Sequence, residues 1–344
     1  MRDTPIRATE MVDAMLSVDT VGAYVRRRGL VDEGTAVEAL RLGGGVSNIV
    51  LAVRAGDRRL VVKQALPRLR VTEEWLATRE RIMTEAAALR WAHSLTPDAV
   101  PAVLDIDHEA FALTIEHAPV GWGDWKARLL EGDADPTVAA RLGALLAVWH
   151  TAPWDRPGAV ASGDDTAAFD QLRVDPYYRT VMTRHPDLAP EIAAYVDRML
   201  ATRRCLVHGD YSPKNVLLGG DGLWVVDFEV AHRGDPAFDL AFMLNHLLLK
   251  AMHRPARRDG YERCAHAFWH AYQSGVPHGF GGPGSYVFGH TACLMLARVD
   301  GKSPAEYLTP TERALARTCA VALLARPTAT PDAAWTLLRE VDNR

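Results

Sequence analysis

Residues 205–218 read CLVHGDYSPKNVLL, an apolar run broken in its middle by His208, Asp210, Lys214 and Asn215. Left buried and unpaired, such groups would cost about 1–3 kcal/mol each on protein mutational scales. Either they satisfy one another in a core or they face a ligand that needs them. The spacing is HxDxxxxN, and twelve residues beyond Asn215 stands Asp227, in the DFE of residues 227–229. Short strands VLL and LWVV flank the turn GGDG, which makes a hairpin and brings the loop and the second carboxylate to one side. Carboxylates and an amide oxygen gathered this way suit a hard cation such as Mg2+, which takes oxygen ligands and shares its shell with phosphates.

Toward the N-terminus, residues 13–28 show helical spacing with Gly29 as a stop. From Val37 the pattern alternates: VEALRL, the glycines Gly43, Gly44 and Gly45, SNIVLAVR, the turn AGDR, then RLVVKQAL. That is the start of an antiparallel sheet. Residues 78–93 form a helix with Ile82, Ala86, Leu89 and His93 along one stripe and Glu85 at its edge. Strands return at VLDIDH and FALTIEH. From Asp124 the chain reads as helices over 124–130, 136–150, 190–203, 235–246, 258–274, 285–298, 309–324 and 332–341, interrupted only by the polar hairpin. The fold class is α+β, divided into an N-terminal helical segment (1–36), a small sheet lobe with one main helix (37–118) and a large helical lobe (119–344).

The 344 residues carry 48% hydrophobic and 24% charged side chains and a formal net charge of −4, which offers no global attraction to nucleic acid or to an acidic membrane. Neither an apolar leader nor a run approaching the roughly 18 residues of a membrane span is visible, so a cytoplasmic location is expected. No protein partner is expected. The four cysteines lack a CxxC pair or zinc-like spacing and read as core residues. Only five lysines occur, Lys63, Lys126, Lys214, Lys250 and Lys302, which makes each worth a question.

HGDYSPKN, DFE, GDPAFD, the lysine of LVVKQA and the glycines of RLGGGVSN together resemble the aminoglycoside phosphotransferase and choline kinase family of small-molecule kinases, over about residues 42–300. The resemblance implies a bilobal protein-kinase-like fold, ATP and Mg2+ as cofactors, and a small hydroxyl-bearing substrate. It implies Asp210 as the catalytic aspartate that orients the acceptor hydroxyl and takes its proton, with Asn215 and Asp227 as metal ligands. Glu229, in place of the glycine of DFG, would be a third carboxylate at the second metal. Lys63 suits the α and β phosphates, with Glu85 orienting it. Gly43, Gly44 and Gly45 let backbone amides approach phosphate, and Ser47 and Asn48 add donors. Adenine would hang on backbone groups near Glu116 to Ala118. Lys214 has two readings, a contact to the γ-phosphate or a solvated loop residue. His208 is read as a brace for the loop, and Asp239 as its support.

Between DFE and GDPAFD lie only the residues VAHR, which leaves no room for the activation segment and APE motif of a protein kinase. A small acceptor follows. The string VVKQALPRLR and the DxE pattern are also similar to methylthioribose kinases, so the expected acceptor is a sugar or amino sugar, methylthioribose-like or aminoglycoside-like. Arg298, Asp300 and Lys302 end an apolar helix and read either as cations and caps at its C-terminus or as the rim of a substrate pocket. A nucleotide-binding pseudokinase is the alternative of another class. The full set Lys63, Asp210, Asn215 and Asp227 argues against it, because a binding module has no use for the aspartate base.

Overall fold

The computed structural model describes residues 15–43, 47–69, 77–153 and 166–343. Helix α1 (Val21–Arg27) is shorter than the sequence pattern suggests, because the residues before it form a turn in which Thr20 N and Val21 N donate to Ser17 O. It precedes β1 (Val37–Arg41), β2 (Asn48–Ala55) and β3 (Arg58–Ala65), then α2 (Arg81–Leu95), β4 (Val103–Asp107) and β5 (Ala112–Glu116). The five strands form one sheet in the order β1-β2-β3-β5-β4, antiparallel throughout.

The alternation of side chains gives this sheet two different faces. Ile49, Leu51, Val53, Leu60 and Val62 pack outward in a small core with Val21, Tyr24, Val25, Leu30 and Val31. On the other face the register sets Leu40 beside Ala52, Ala52 beside Val61 and Val61 beside Ile115. Val61, Leu113 and Ile115 join Ile82, Ala86 and Leu89 of α2 in the main core, which continues into the helical lobe. Lys63 shares this inner face, two residues from Val61.

The C-terminal part begins with β6 (Gly123–Asp124), α3 (Trp125–Glu131) and α4 (Pro136–Thr151). Asp124 and Asp135 cap the two helices, accepting from Ala127 N and Thr137 N. A continuous helical stretch follows that sequence periodicity does not reveal: α5 (Ala167–Phe169), a π-helical segment Asp170–Arg179, and α6 (Thr180–Arg184). Pro176 sits inside it, and the wider π turn accommodates a residue that would break an α-helical ladder.

Next come α7 (Ala189–Ala201), β7 (Cys205–Val207), β8 (Val216–Gly219), β9 (Gly222–Val225) and β10 (His232–Gly234), then α8 (Ala237–His253), α9 (Arg258–Gly275), α10 (Gly284–Asp300), α11 (Pro310–Ala325) and α12 (Pro331–Asp342). Strands β8 and β9 form the expected hairpin and β6 adds to it, while β7 pairs with β10. Every residue of α8 from Ala237 to Met252 is buried. A helix enclosed on all sides is a core element, so its polar residues Asp239, Asn245, His246 and Lys250 need explanation. Among the described residues no helix is long and apolar enough to cross a membrane.

Candidate active site

The loop between β7 and β8 is held from below by α8. Asp239, fully buried, accepts from His208 N at 2.7 Å and from Gly209 N at 2.9 Å, and His150 Nε2 lies 3.3 Å from it. His208 donates from Nε2 to Val226 O at 3.2 Å and accepts the Asp210 amide at Nδ1, 3.1 Å. Burial lowers its pKa, so the imidazole is neutral and can play both parts. Gly209 has φ +76, and a Cβ there would lie 2.8 Å from Val230 Cγ2 and 2.9 Å from Val230 O. Only glycine fits this step of the loop.

Asp210 is almost fully buried. Arg173, from the π segment, places a guanidinium nitrogen 2.8 Å from its Oδ2, and Lys214 Nζ approaches the same oxygen at 3.0 Å. Burial alone would raise this carboxyl, but the two cations outweigh it and hold it below the ordinary aspartate value. The carboxylate is therefore ionised and fixed, and weakly basic. Arg173 also donates from Nε to Gly209 O at 2.8 Å, so it braces the loop as well as the charge.

Asn215 donates from Nδ2 to Asp210 O at 3.0 Å, which leaves its side-chain oxygen as the atom that could face a cation. Asp227 follows β9 and has φ +74, a left-handed backbone that costs a non-glycine residue about 1 kcal/mol or more. Its carboxylate lies 2.7 Å from Lys63 Nζ, which is itself 2.5 Å from Glu85 Oε1. One ammonium thus ties the sheet, α2 and the DFE turn together. The better exposed partner, Asp227, is held well below the usual range: burial opposes this and Lys63 prevails. Burial pushes the enclosed Glu85 up to about 7 against the pull of Lys63.

Glu229 faces the sheet lobe. Its Oε1 accepts from Ser47 Oγ at 2.7 Å, and its Oε2 accepts from Asn48 Nδ2 at 3.0 Å and Arg81 Nε at 3.2 Å. Arg81, also buried, donates further to Ser47 O and to Leu66 O. Ser47, Asn48 and Glu229 are thus engaged with one another. Gly43 lies exposed just after β1, and Gly44 and Gly45 lie outside the described residues.

The model of the family described as "Phosphotransferase enzyme family" matches residues 38–283. The chain belongs to this family. It is a small-molecule kinase, with an ATP-dependent phosphotransferase activity. Among curated proteins it is similar to a methylthioribose kinase of Exiguobacterium sibiricum, 27% identical over 284 residues, covering 73% of this chain and 71% of that protein. A methylthioribose kinase of Bacillus mycoides is 24% identical over 265 residues, covering 70% and 67%. In fold it matches an aminoglycoside phosphotransferase, APH(4)-Ia, with TM-score 0.55, 15% identity and coverage of 90% and 99%. A Plasmodium vivax ethanolamine kinase matches with TM-score 0.54, 13% identity and coverage of 92% and 94%. These likenesses show the bilobal α+β kinase fold.

Elsewhere in this phosphotransferase, the remaining candidates have protein partners. Glu116 accepts from Ala102 N at 2.9 Å, and His117 bonds Ala118 O at 2.5 Å. Asp300 takes a bidentate contact from Arg317, 2.7 Å for each bond, and one from His185 at 2.8 Å. Lys302 pairs with Asp175 at 2.9 Å, and Arg298 donates to Ser303. Trp122 packs edge-on against Trp224 over Gly219 and Gly222. Two site residues escape sequence reading, Arg173 and Arg81. Nothing in DQLRVDPYYR marks Arg173, whereas Arg81 stands four residues before Glu85, next to the apolar stripe of α2, and that spacing was a usable signal.

Proposed function

We propose that this phosphotransferase moves the γ-phosphate of ATP, with Mg2+, to a hydroxyl of a small sugar-like molecule. The observation that carries the reading is Lys63, which reaches both Glu85 and Asp227 while Asp210 and Asn215 share the adjacent loop. In this reading the acceptor oxygen attacks the γ phosphorus, the bond to the β-phosphate oxygen breaks, ADP leaves, and the hydroxyl proton passes to Asp210. A carboxylate as weakly basic as Asp210 fits a loose transition state, in which orienting the hydroxyl matters more than removing its proton early.

Asn215 and Asp227 would hold the metal, which neutralises charge on the transferring phosphate. For Glu229 to join them it must leave Ser47, Asn48 and Arg81. Lys63 would hold the α and β phosphates, with Glu85 as its support, and Lys214 the γ-phosphate. Gly43, Gly44, Gly45, Ser47 and Asn48 would contact the phosphates, and the row Leu40, Ala52 and Val61 would lie against an adenine held at Glu116 to Ala118. In this assignment residues 37–118 are the nucleotide lobe and 119–344 the acceptor lobe.

The methylthioribose kinases among its relatives support a sugar acceptor. The test mixes the protein with Mg-ATP and a panel of sugars, sugar acids, aminoglycosides and amino alcohols and follows ADP release. Turnover that disappears in Asp210→Ala supports the reading. Failure of every acceptor to exceed the Asp210→Ala rate would overturn it.

A further inference from the structure

Helix α8 carries a polar stripe away from the loop that holds Asp210. Asp239 supports that loop. One turn on, Phe242 stacks with Tyr177 at 6.1 Å and lies 5.9 Å from the Arg173 guanidinium. His246 follows, 5.3 Å from Phe242, and then Lys250. At 1.5 Å per residue, His246 lies about 10 Å along the axis from Asp239, and Lys250 about 16 Å.

Lys250 is fully buried, and its hydrogen bond is a long one, 3.5 Å, to His246 O of its own helix. Among the described residues no carboxylate pairs with it. Its ammonium lies 5.4 Å from the Tyr307 ring, and Lys126 Nζ lies 6.0 Å from the same ring. Among the described residues, the buried Tyr307 Oη and Arg298 Nε find no hydrogen-bond partner. Lys126 pairs with Glu306, an exposed side chain. Burial first, then Lys126 and Arg298, push the Lys250 ammonium down to about 7, with Glu306 and Asp124 opposing. Burial also lowers His246, and Lys250, Arg298, Lys214 and Lys126 add to it. Lys126 of α3, Lys250 of α8 and Arg298 of α10 thus gather around Tyr307, about 16 Å along α8 from the aspartate that supports the Asp210 loop. An uncompensated ammonium in a core is costly, and an anion beside it removes that cost.

We infer that Lys250, with Lys126 and Arg298, makes the acceptor end of the site an oxyanion subsite, so the substrate is a hydroxy compound bearing a carboxylate or phosphate group. The inference rests on the kinase reading above and narrows its acceptor: a sugar acid or sugar phosphate fits, and a polycationic aminoglycoside or an uncharged sugar does not. Asp210 meets the hydroxyl at one end, and the subsite holds the anion at the other.

The small-molecule pool of a cell extract, split on a strong anion exchanger at neutral pH, supplies acceptors for the full-length enzyme with γ-labelled ATP. Label should pass to acceptors in the retained fraction, with acid and phosphatase treatment of that fraction separating carboxylate from phosphate acceptors. For the acceptor so found, Lys250→Met should raise KM at least about tenfold, with KM for ATP changed less than twofold. Its melting temperature should not fall, since a buried unpaired charge has been removed. Lys126→Gln, at a partly exposed position, should raise the same KM in a protein whose fold is not in question. Transfer only to acceptors in the flow-through, or turnover of methylthioribose with a KM indifferent to both substitutions, would overturn the inference while leaving the kinase reading intact. Transfer to neither fraction would remove the kinase reading, and the subsite with it.

Discussion

Arg173 lies 2.8 Å from the carboxylate of Asp210 and, through its Nε, 2.8 Å from the carbonyl of Gly209 in the same loop. It fixes both the charge and the position of the aspartate. Arg173→Met should lower kcat about tenfold or more while KM for ATP stays within a factor of about three. It should also move the pH profile. Arg173 and Lys214 depress Asp210, so the acid limb of kcat lies below the ordinary aspartate range, and loss of one cation shifts that limb to higher pH. An unmoved limb would show that Arg173 does not set the charge of Asp210.

The clasp on Glu229 joins the two lobes. Its partner Arg81 is buried, so removing the carboxylate charge leaves a guanidinium with carbonyl acceptors and, among the described residues, no counter-charge. Glu229→Gln and Arg81→Met should each destabilise the protein by about 3 kcal/mol in urea titration, and the double variant by clearly less than the sum. Strict additivity would rule out the pairing. If Glu229 also serves the metal, the Mg2+ concentration for half-maximal rate rises in Glu229→Gln; if it is a clasp alone, that concentration is unchanged and only stability falls.

How much of this was legible beforehand depends on how local each relation is. HxDxxxxN and DFE lie within 22 residues of one another, so the hairpin that unites them could be read directly. Lys63 and Glu85 could be read too, because a strand of period two and a helical stripe each point a charged residue at an apolar face. Arg173 could not. Its segment is π-helical around Pro176 and matches neither period. The partners of Glu229 were likewise hidden: DFE suggests a third carboxylate for the metal, and only the packing of the sheet lobe on the hairpin brings Ser47, Asn48 and Arg81 to it. Lys250 lies past the end of the helix expected over 235–246, and only the longer α8, enclosed on all sides, carries it into the core.

Buried histidines should govern acid stability. Burial pushes His232 down to about 4 and His290 to about 3, the latter helped by Arg198. His232 Nδ1 bonds Val230 O at 3.0 Å, and His290 Nδ1 meets the Tyr178 hydroxyl at 2.9 Å. In the unfolded chain both bind a proton below about pH 6.5, whereas the folded state resists until near pH 4 or 3. The contribution of these two sites is therefore full above pH 6.5 and falls as pH drops through this window, with a limiting slope of about 1.4 kcal/mol per pH unit for each site, while Glu85, raised to about 7, acts in the opposite sense for a single site over the same window. Asp227 and Asp210, both depressed, add their loss only below about pH 4. Urea titrations from pH 7.5 to 4.5 should show the fall, and His290→Leu should reduce its slope. A profile flat down to pH 4.5 would contradict the burial of neutral histidines.

Helices α4 and α9 approach closely enough that their backbones touch at Gly143. A Cβ at this position would stand 2.2 Å from Phe268 O and 3.1 Å from Tyr272 N. Alanine is the better helix former by about 1 kcal/mol, so helix propensity alone favours Gly143→Ala. The clash is with backbone and cannot be relieved by a rotamer change, and overpacking of this kind costs about 1–3 kcal/mol or more. The α4–α9 contact also carries Tyr211, whose hydroxyl donates to Leu142 O at 2.8 Å from the catalytic loop. Gly143→Ala should therefore lower the melting temperature by about 4 °C or more and lower kcat with it. Gly123→Ala is the matched control, because a Cβ there meets nothing within 4 Å. It should leave melting unchanged. Equal melting of the two variants would mean that α4 and α9 are not in backbone contact.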